Sequence, residues 1–138
     1  RADGLADLRG LLPPTPRRGL VFIDPAYEDK TDYRRVLLTL REALERFATG
    51  IYLLWYPLLA GTSMSETLLA GLKRLPGQSW LHVSLAVRSS SAGRGLHGSA
   101  LFVINPPWVS ADALAALMPY LVKHLGQDEF ARYELESN

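Results

Sequence analysis

The sequence predicts an α/β fold in which helices alternate with the strands of an open sheet. Two observations predict it. Short apolar runs at 19–23 and 51–57 flank a segment whose apolar residues recur at helical spacing. The second run, Ile51-Tyr52-Leu53-Leu54-Trp55-Tyr56-Pro57, is continuously apolar, as expected of a buried strand in a parallel position.

Residues 5–12 read as a short helix or turn, ended by Pro13-Pro14. Residues 19–23 form the first strand. Thr31 or Asp32 caps a helix running to Phe47, with Val36, Leu37, Leu40, Ala43, Leu44 and Phe47 on its apolar face. Gly50 ends that connection, and 51–57 form the second strand. Ser63 or Ser65 caps a helix through Leu75, and Pro76-Gly77 makes the next turn. Residues 80–88 and 99–105 are two strands joined by the Ser/Gly-rich segment 89–98, and Ala111 to Leu125 is the last helix. There are no repeats and no coiled-coil heptads.

The chemistry lies in Asp24-Pro25-Ala26-Tyr27, directly after the first strand. An open α/β sheet places its ligands at the carboxyl ends of its strands. An Asp-Pro pair there also starts turns, so the flanks decide its meaning. The tetrapeptide resembles the D-P-P-Y motif of methyltransferases that modify the exocyclic amine of adenine. An aromatic amine is a poor nucleophile because its lone pair is delocalised into the ring. A carboxylate from Asp24 and the carbonyl of Pro25 would accept its hydrogens and draw the nitrogen toward tetrahedral geometry. The pyrrolidine ring fixes φ at Pro25. Tyr27 would stack on the base, a contact of about 1–3 kcal/mol, once the base is single-stranded or flipped out. Ala26 stands where the motif has its second proline, which leaves the loop less rigid.

The wider order of blocks is Asp3-Gly4, Leu11-Leu12-Pro13-Pro14, Arg18 to Lys30, Gly50 to Pro57, and Gly98 to Trp108. It resembles the bacterial RlmJ family of 23S ribosomal RNA adenine-N6 methyltransferases, from Asp3 to about Trp108. The resemblance implies the C-terminal half of a Rossmann-like class I methyltransferase sheet, ending in an antiparallel strand pair. It implies direct methyl transfer from S-adenosylmethionine to one adenine of protein-free 23S ribosomal RNA by a cytoplasmic monomer. Asp24, Pro25 and Tyr27 carry over as catalytic residues, with Tyr27 also contacting substrate. Asp24, Asp3 and Gly4 carry over as cofactor contacts, Asp3-Gly4 lying near the cofactor's adenine. The chain begins at Arg1 without methionine and has no G-x-G loop between strand and helix in its first third. The expectation is that residues 1–138 are the C-terminal part of one methyltransferase domain. The cofactor-binding N-terminal half is then absent, and the fragment alone is inactive.

Two other readings stay open. One is a DNA adenine methyltransferase. The other is a nucleic-acid-binding protein with a degenerate site, linked to the use of external DNA. A rival motif, Asn105-Pro106-Pro107-Trp108, would pair with Ala60-Gly61-Thr62-Ser63 as cofactor loop. Only one strand would then lie between loop and motif, and that strand ends in Arg88 rather than in an acid for a ribose hydroxyl. The segment 105–108 is therefore read as a loop that walls the pocket or turns the chain.

Composition narrows the rest. The chain has 138 residues, 48% of them hydrophobic, and no cysteine, which excludes disulfides and thiolate metal sites. Mean hydropathy is +0.03, and the apolar run 51–59 is too short for a bilayer. A basic n-region followed by an apolar core is lacking, so no signal peptide is expected. Net charge is +1, with basic residues gathered at Arg17-Arg18, Arg34-Arg35, Lys73-Arg74, and Arg88 with Arg94. Pairs sharing a face with Tyr27 would meet phosphates. No His/Asp/Glu cluster has metal-ligand spacing, so no metal is expected. His82 reads as a strand residue, His97 as a residue that could contact RNA, and His124 as a helix C-terminal cation.

Overall fold

The computed structural model describes residues 3–75 and 77–138, so Pro76 of the expected turn lies outside the described residues. The elements are α1 (Gly4–Leu11), β1 (Leu20–Ile23), α2 (Thr31–Arg46), β2 (Ile51–Ala60), α3 (Met64–Lys73), β3 (Trp80–Ala86), a 3-10 turn at Ser90–Ala92, β4 (Gly95–Ile104), α4 (Ser110–Leu125) and β5 (Arg132–Ser137). The α/β class and the helix–strand order follow the sequence expectation, with β5 added.

The strands form one mixed sheet in the order β1-β2-β4-β3-β5. β1 pairs parallel with β2, and β4 runs antiparallel between β2 and β3. β2 is thus parallel on one side only. β5 pairs antiparallel with β3 along the sheet's far edge.

One apolar face of the sheet carries the main core. Ile23, Tyr52, Leu54, Tyr56, Phe102 and Ile104 pack beneath α1, α2 and α3. α2 presents Val36, Leu40, Ala43 and Leu44, the helical stripe read from the sequence, and Val36 and Leu40 are fully buried. The Tyr52 hydroxyl donates to the Ala43 and Phe47 carbonyls at 3.0 and 2.8 Å, which locks the α2–β2 connection. On the opposite face, Leu81, Val83 and Val103 are buried, and α4 lies over β3 and β5 with Met118 inward.

Three elements depart most from the sequence expectation, while β3 ends at Ala86 rather than 88 and α3 at Lys73 rather than Leu75. β2 does not stop at Pro57 but continues to Ala60, with a register shift between Leu58 and Leu59. β4 begins at Gly95 rather than 99, inside the Ser/Gly-rich segment. A Cβ on Gly98 would stand 2.3 Å from the Leu85 carbonyl oxygen, so the glycine permits a close approach of strands. β5 is the strand that sequence reasoning misses, because Arg132-Tyr133-Glu134-Leu135-Glu136-Ser137 is short and charged, as edge strands are.

β5 is tied down by a run of side chains across the sheet. The Tyr56 hydroxyl and His82 Nε2 are 2.8 Å apart, His82 Nδ1 is 3.1 Å from Glu136 Oε1, and Lys73 Nζ donates to the same oxygen at 2.7 Å. Burial pushes the His82 pKa down despite the nearby carboxylate. His82 is thus a buried strand residue in a structural network.

Candidate active site

β1 is four residues long, and Asp24 follows at its carboxyl end, level with the middle of the longer β2. The loop 24–30 then turns into α2, where the Asp29 carboxylate accepts from the Thr31 N–H at 2.8 Å. The helix start therefore lies at Thr31, capped from Asp29 rather than by Thr31 or Asp32.

Asp24, Pro25 and Ala26 border an open cavity of about 720 Å³. Across it stands the start of α1, where Asp3 and Gly4 also line the wall. Asp3 Oδ1 caps α1 by accepting from the Leu5 and Ala6 N–H groups at 3.1 and 3.3 Å. Its Oδ2 takes a hydrogen bond from Arg35 Nη2 at 2.6 Å, and Arg35 Nη1 reaches Asp32 Oδ1 at 3.2 Å. The Arg35 hydrogen bond is the main reason the Asp3 pKa is lowered. Asp32 and Arg35 line the same cavity. Sequence reasoning missed this pair, although its i, i+3 spacing on a helix was the available signal. Three carboxylates and one guanidinium thus face one space. That arrangement accepts hydrogen bonds from ligand amines and hydroxyls.

Tyr27 is placed differently from its neighbours. Its φ is +54°, the residue is 9% exposed, and its hydroxyl donates to the Trp55 carbonyl at 2.9 Å. The ring centroid lies 4.7 Å from that of Tyr33 and 6.4 Å from that of Trp55. Desolvation by burial is the chief cause that raises its pKa. The structure brings Asp24, Pro25, Asp3 and Gly4 to one cavity and holds Tyr27 behind it.

This packing yields a stability prediction. Tyr27→Phe is expected to cost about 0.5–1.5 kcal/mol, the worth of one net hydrogen bond. Tyr27→Ala should cost about 3–5 kcal/mol, because a buried ring is removed. Denaturant melts of both variants check this, and equal losses would show that the ring's packing contributes nothing.

Asn105 lies elsewhere. It follows β4, whose end pairs at Ile104 with Tyr52, near the amino end of β2 and away from Asp24. Its amide Nδ2 donates to the Ala48 and Gly50 carbonyls at 2.8 and 2.7 Å, and its φ is +54°. Asn105 therefore turns the chain and does not wall the pocket. Trp108 beside it is 90% exposed. Among the described residues, no group of three or more His, Cys, Asp or Glu side chains is arranged to hold a metal ion. Likewise no described helix is long and apolar enough to cross a membrane.

The comparisons with known proteins agree with one another. A family model described as "Ribosomal RNA large subunit methyltransferase D, RlmJ" matches residues 1–136. A protein named Ribosomal RNA large subunit methyltransferase J from Haemophilus influenzae is 41% identical over 123 residues, covering 89% of this chain and 43% of that relative. Its namesake from Escherichia coli is 41% identical over 125 residues, covering 88% of this chain and 43% of the relative. The chain therefore spans less than half the length of the curated relatives it matches. The crystal structure of a Legionella pneumophila protein superposes with a TM-score of 0.90 at 30% identity, covering 99% of this chain and 50% of that one.

Proposed function

The chain belongs to the RlmJ family of large-subunit ribosomal RNA methyltransferases, and from that premise we propose that it carries the target-base side of an adenine-N6 methyltransferase site for 23S ribosomal RNA. The observation that carries the reading is the shared cavity. Asp24 and Pro25 border it from the end of β1, and Asp3 and Gly4 from the start of α1.

Residues 1–138 are, in this reading, the C-terminal part of a single methyltransferase domain, with the cofactor-binding half outside the chain. The strand order supports it, since antiparallel β4 between the mutually parallel β2 and β3 suits the second half of a Rossmann-like class I sheet. The outer edge of β1 is where the remaining strands would join.

S-adenosylmethionine, when bound, supplies an electrophilic methyl group. The acceptors Asp3 and Asp24 fit a ligand bearing ribose hydroxyls and an adenine amine, and the cavity volume admits a nucleoside. Asp24 Oδ and the Pro25 carbonyl would accept the two amine hydrogens of the target base and orient its lone pair. The amine nitrogen would gain the methyl as the donor's sulfonium leaves as a neutral thioether, and it would release one proton, which the exposed Asp24 carboxylate can pass to solvent. Tyr27 fixes the loop backbone through the Trp55 carbonyl, and a stacking contact with the base would require its ring to leave its packing on Tyr33 and Trp55.

The test is methyl incorporation by the full-length protein into protein-free 23S ribosomal RNA, with duplex DNA as competitor. Methylation of adenine N6 in the RNA alone is expected. Transfer to DNA instead would replace this reading with a DNA adenine methyltransferase, and no transfer to either would leave a nucleic-acid-binding protein.

A further inference from the structure

The sheet is not level at its carboxyl end. β1 stops at Ile23, paired with Leu54, while β2 continues through residues 55–60 to pair Ala60 with Gly95. At ~3.3 Å per residue this ribbon rises about 20 Å past the last rung of β1. β3 rises with it, since Ala86 pairs with Gly98 on one side and Arg132 on the other. Asp24 therefore sits at the foot of a raised wall.

Three arginines gather at the top of that wall. Arg94 lies between Gly93 and Gly95, both at positive φ, and is exposed. Arg132 opens β5, with its side chain 63% exposed. Arg88 follows β3 and donates to the Leu96 carbonyl at 3.0 Å. His97 stands among them, and its pKa is lowered first by desolvation and then by the charges of Arg88 and Arg132. The acids nearby are engaged or exposed, including exposed Glu66, which lines one hollow with His97, Arg132 and Glu134. Asp128 accepts from the Ser89 and Phe130 N–H groups, and Glu134 is 3.9 Å from Arg132, with both side chains in solvent. Exposed Leu96 and Phe130 lie among the cations. In lateral distance β3 is three strand spacings from β1, roughly 14 Å at ~4.8 Å per strand. That is a few nucleotides' reach from Asp24.

We propose that the rim formed by Arg88, Arg94 and Arg132 is a second contact surface for the RNA substrate, holding backbone phosphates on one side of the target nucleotide. This inference rests on the RNA methyltransferase reading. A raised wall suits the task, because the target base must drop to Asp24 while its flanking backbone stays above. Guanidinium groups at the lip would hold that backbone without reading its sequence.

The experiment is a salt titration of RNA binding by the full-length protein, read by fluorescence anisotropy on a labelled 23S ribosomal RNA transcript. Each phosphate that is no longer neutralised reduces the slope of log K against log salt, by about 0.9 for a B-form duplex and about 0.7 for a single strand. Arg94→Ala with Arg132→Ala should lower the slope by about 1.4–1.8 and weaken binding. The charge-conserving pair Arg94→Lys and Arg132→Lys should retain most of it. Arg17→Ala with Arg18→Ala, at the amino end of β1, should leave the slope unchanged. No RNA binding, an unchanged slope for the Arg94/Arg132 pair, or an equal reduction from the Arg17/Arg18 pair would overturn the rim. Failure of methyl transfer by the full-length protein alongside the expected slopes would overturn the enzymatic reading alone.

Discussion

Asp24→Ala in the full-length protein is expected to reduce methyl transfer by on the order of 10²–10³-fold or more while leaving the melting curve in place. The magnitude follows from the role proposed for Asp24, since removing one preorganised polar group aimed at developing charge typically costs that much. The fold should survive because Asp24 is exposed and lies beyond the last residue of β1. Its removal buries no unpaired group and leaves no internal cavity. Asp24→Asn is the sharper companion, since it keeps the shape and one carbonyl oxygen but loses the charge. Methyl incorporation and a thermal melt are measured on the same preparations. A folded Asp24→Ala protein with near-normal transfer would remove Asp24 from the chemistry and leave the loop a turn.

The second large effect concerns stability. Gly98→Ala is expected to destabilise the chain by at least the upper end of the about 1–3 kcal/mol typical of overpacking. The added methyl would meet the Leu85 carbonyl oxygen at 2.3 Å and the Ala86 Cα at 2.8 Å. Both are backbone atoms of the paired strand, so no side chain can turn away to make room. Relief would need β3 and β4 to part where β3 also holds β5. Gly10→Ala is the control. Gly10 sits within α1, and its added methyl would have nothing within 4 Å. That substitution should stabilise by up to about 1 kcal/mol. Denaturant melts decide between these outcomes, and a Gly98→Ala protein as stable as the parent would show that the strands yield there.

The sequence was legible where periodicity was strong and each element kept one environment. The α2 stripe from Val36 to Leu44 and the apolar core of β2 show this, and so does the place of Asp24 after β1. It was less legible where a local rule competed with tertiary contact. Pro57 reads as a strand terminator, yet β2 passes through it and its carbonyl accepts the Ser65 hydroxyl at 2.7 Å. Gly95 and Gly98 read as loop residues, yet both lie in β4. β5 carries alternating charges that no single-sequence pattern separates from a polar tail. In the site, residue types made the Asp24 loop visible, whereas the Arg35–Asp3 pair became visible only once α1 was folded against α2. The inward placement of Tyr27 depends on Trp55 and Tyr33, neither of which the motif itself contains.

The short β1 has one further consequence, for solubility and assembly. It is an outermost strand of the sheet, and its outward-facing Leu20 and Phe22 are 61% and 55% exposed. Of the common devices that blunt a sheet edge, shortness is present, but the strand itself has no lysine, proline or bulge. Its free amide and carbonyl groups repeat at a spacing that only another extended segment can match. A strand, whether from the same polypeptide or from a second copy, would pair with that row directly. A helix could cover the apolar side chains yet would leave that row of backbone groups to water.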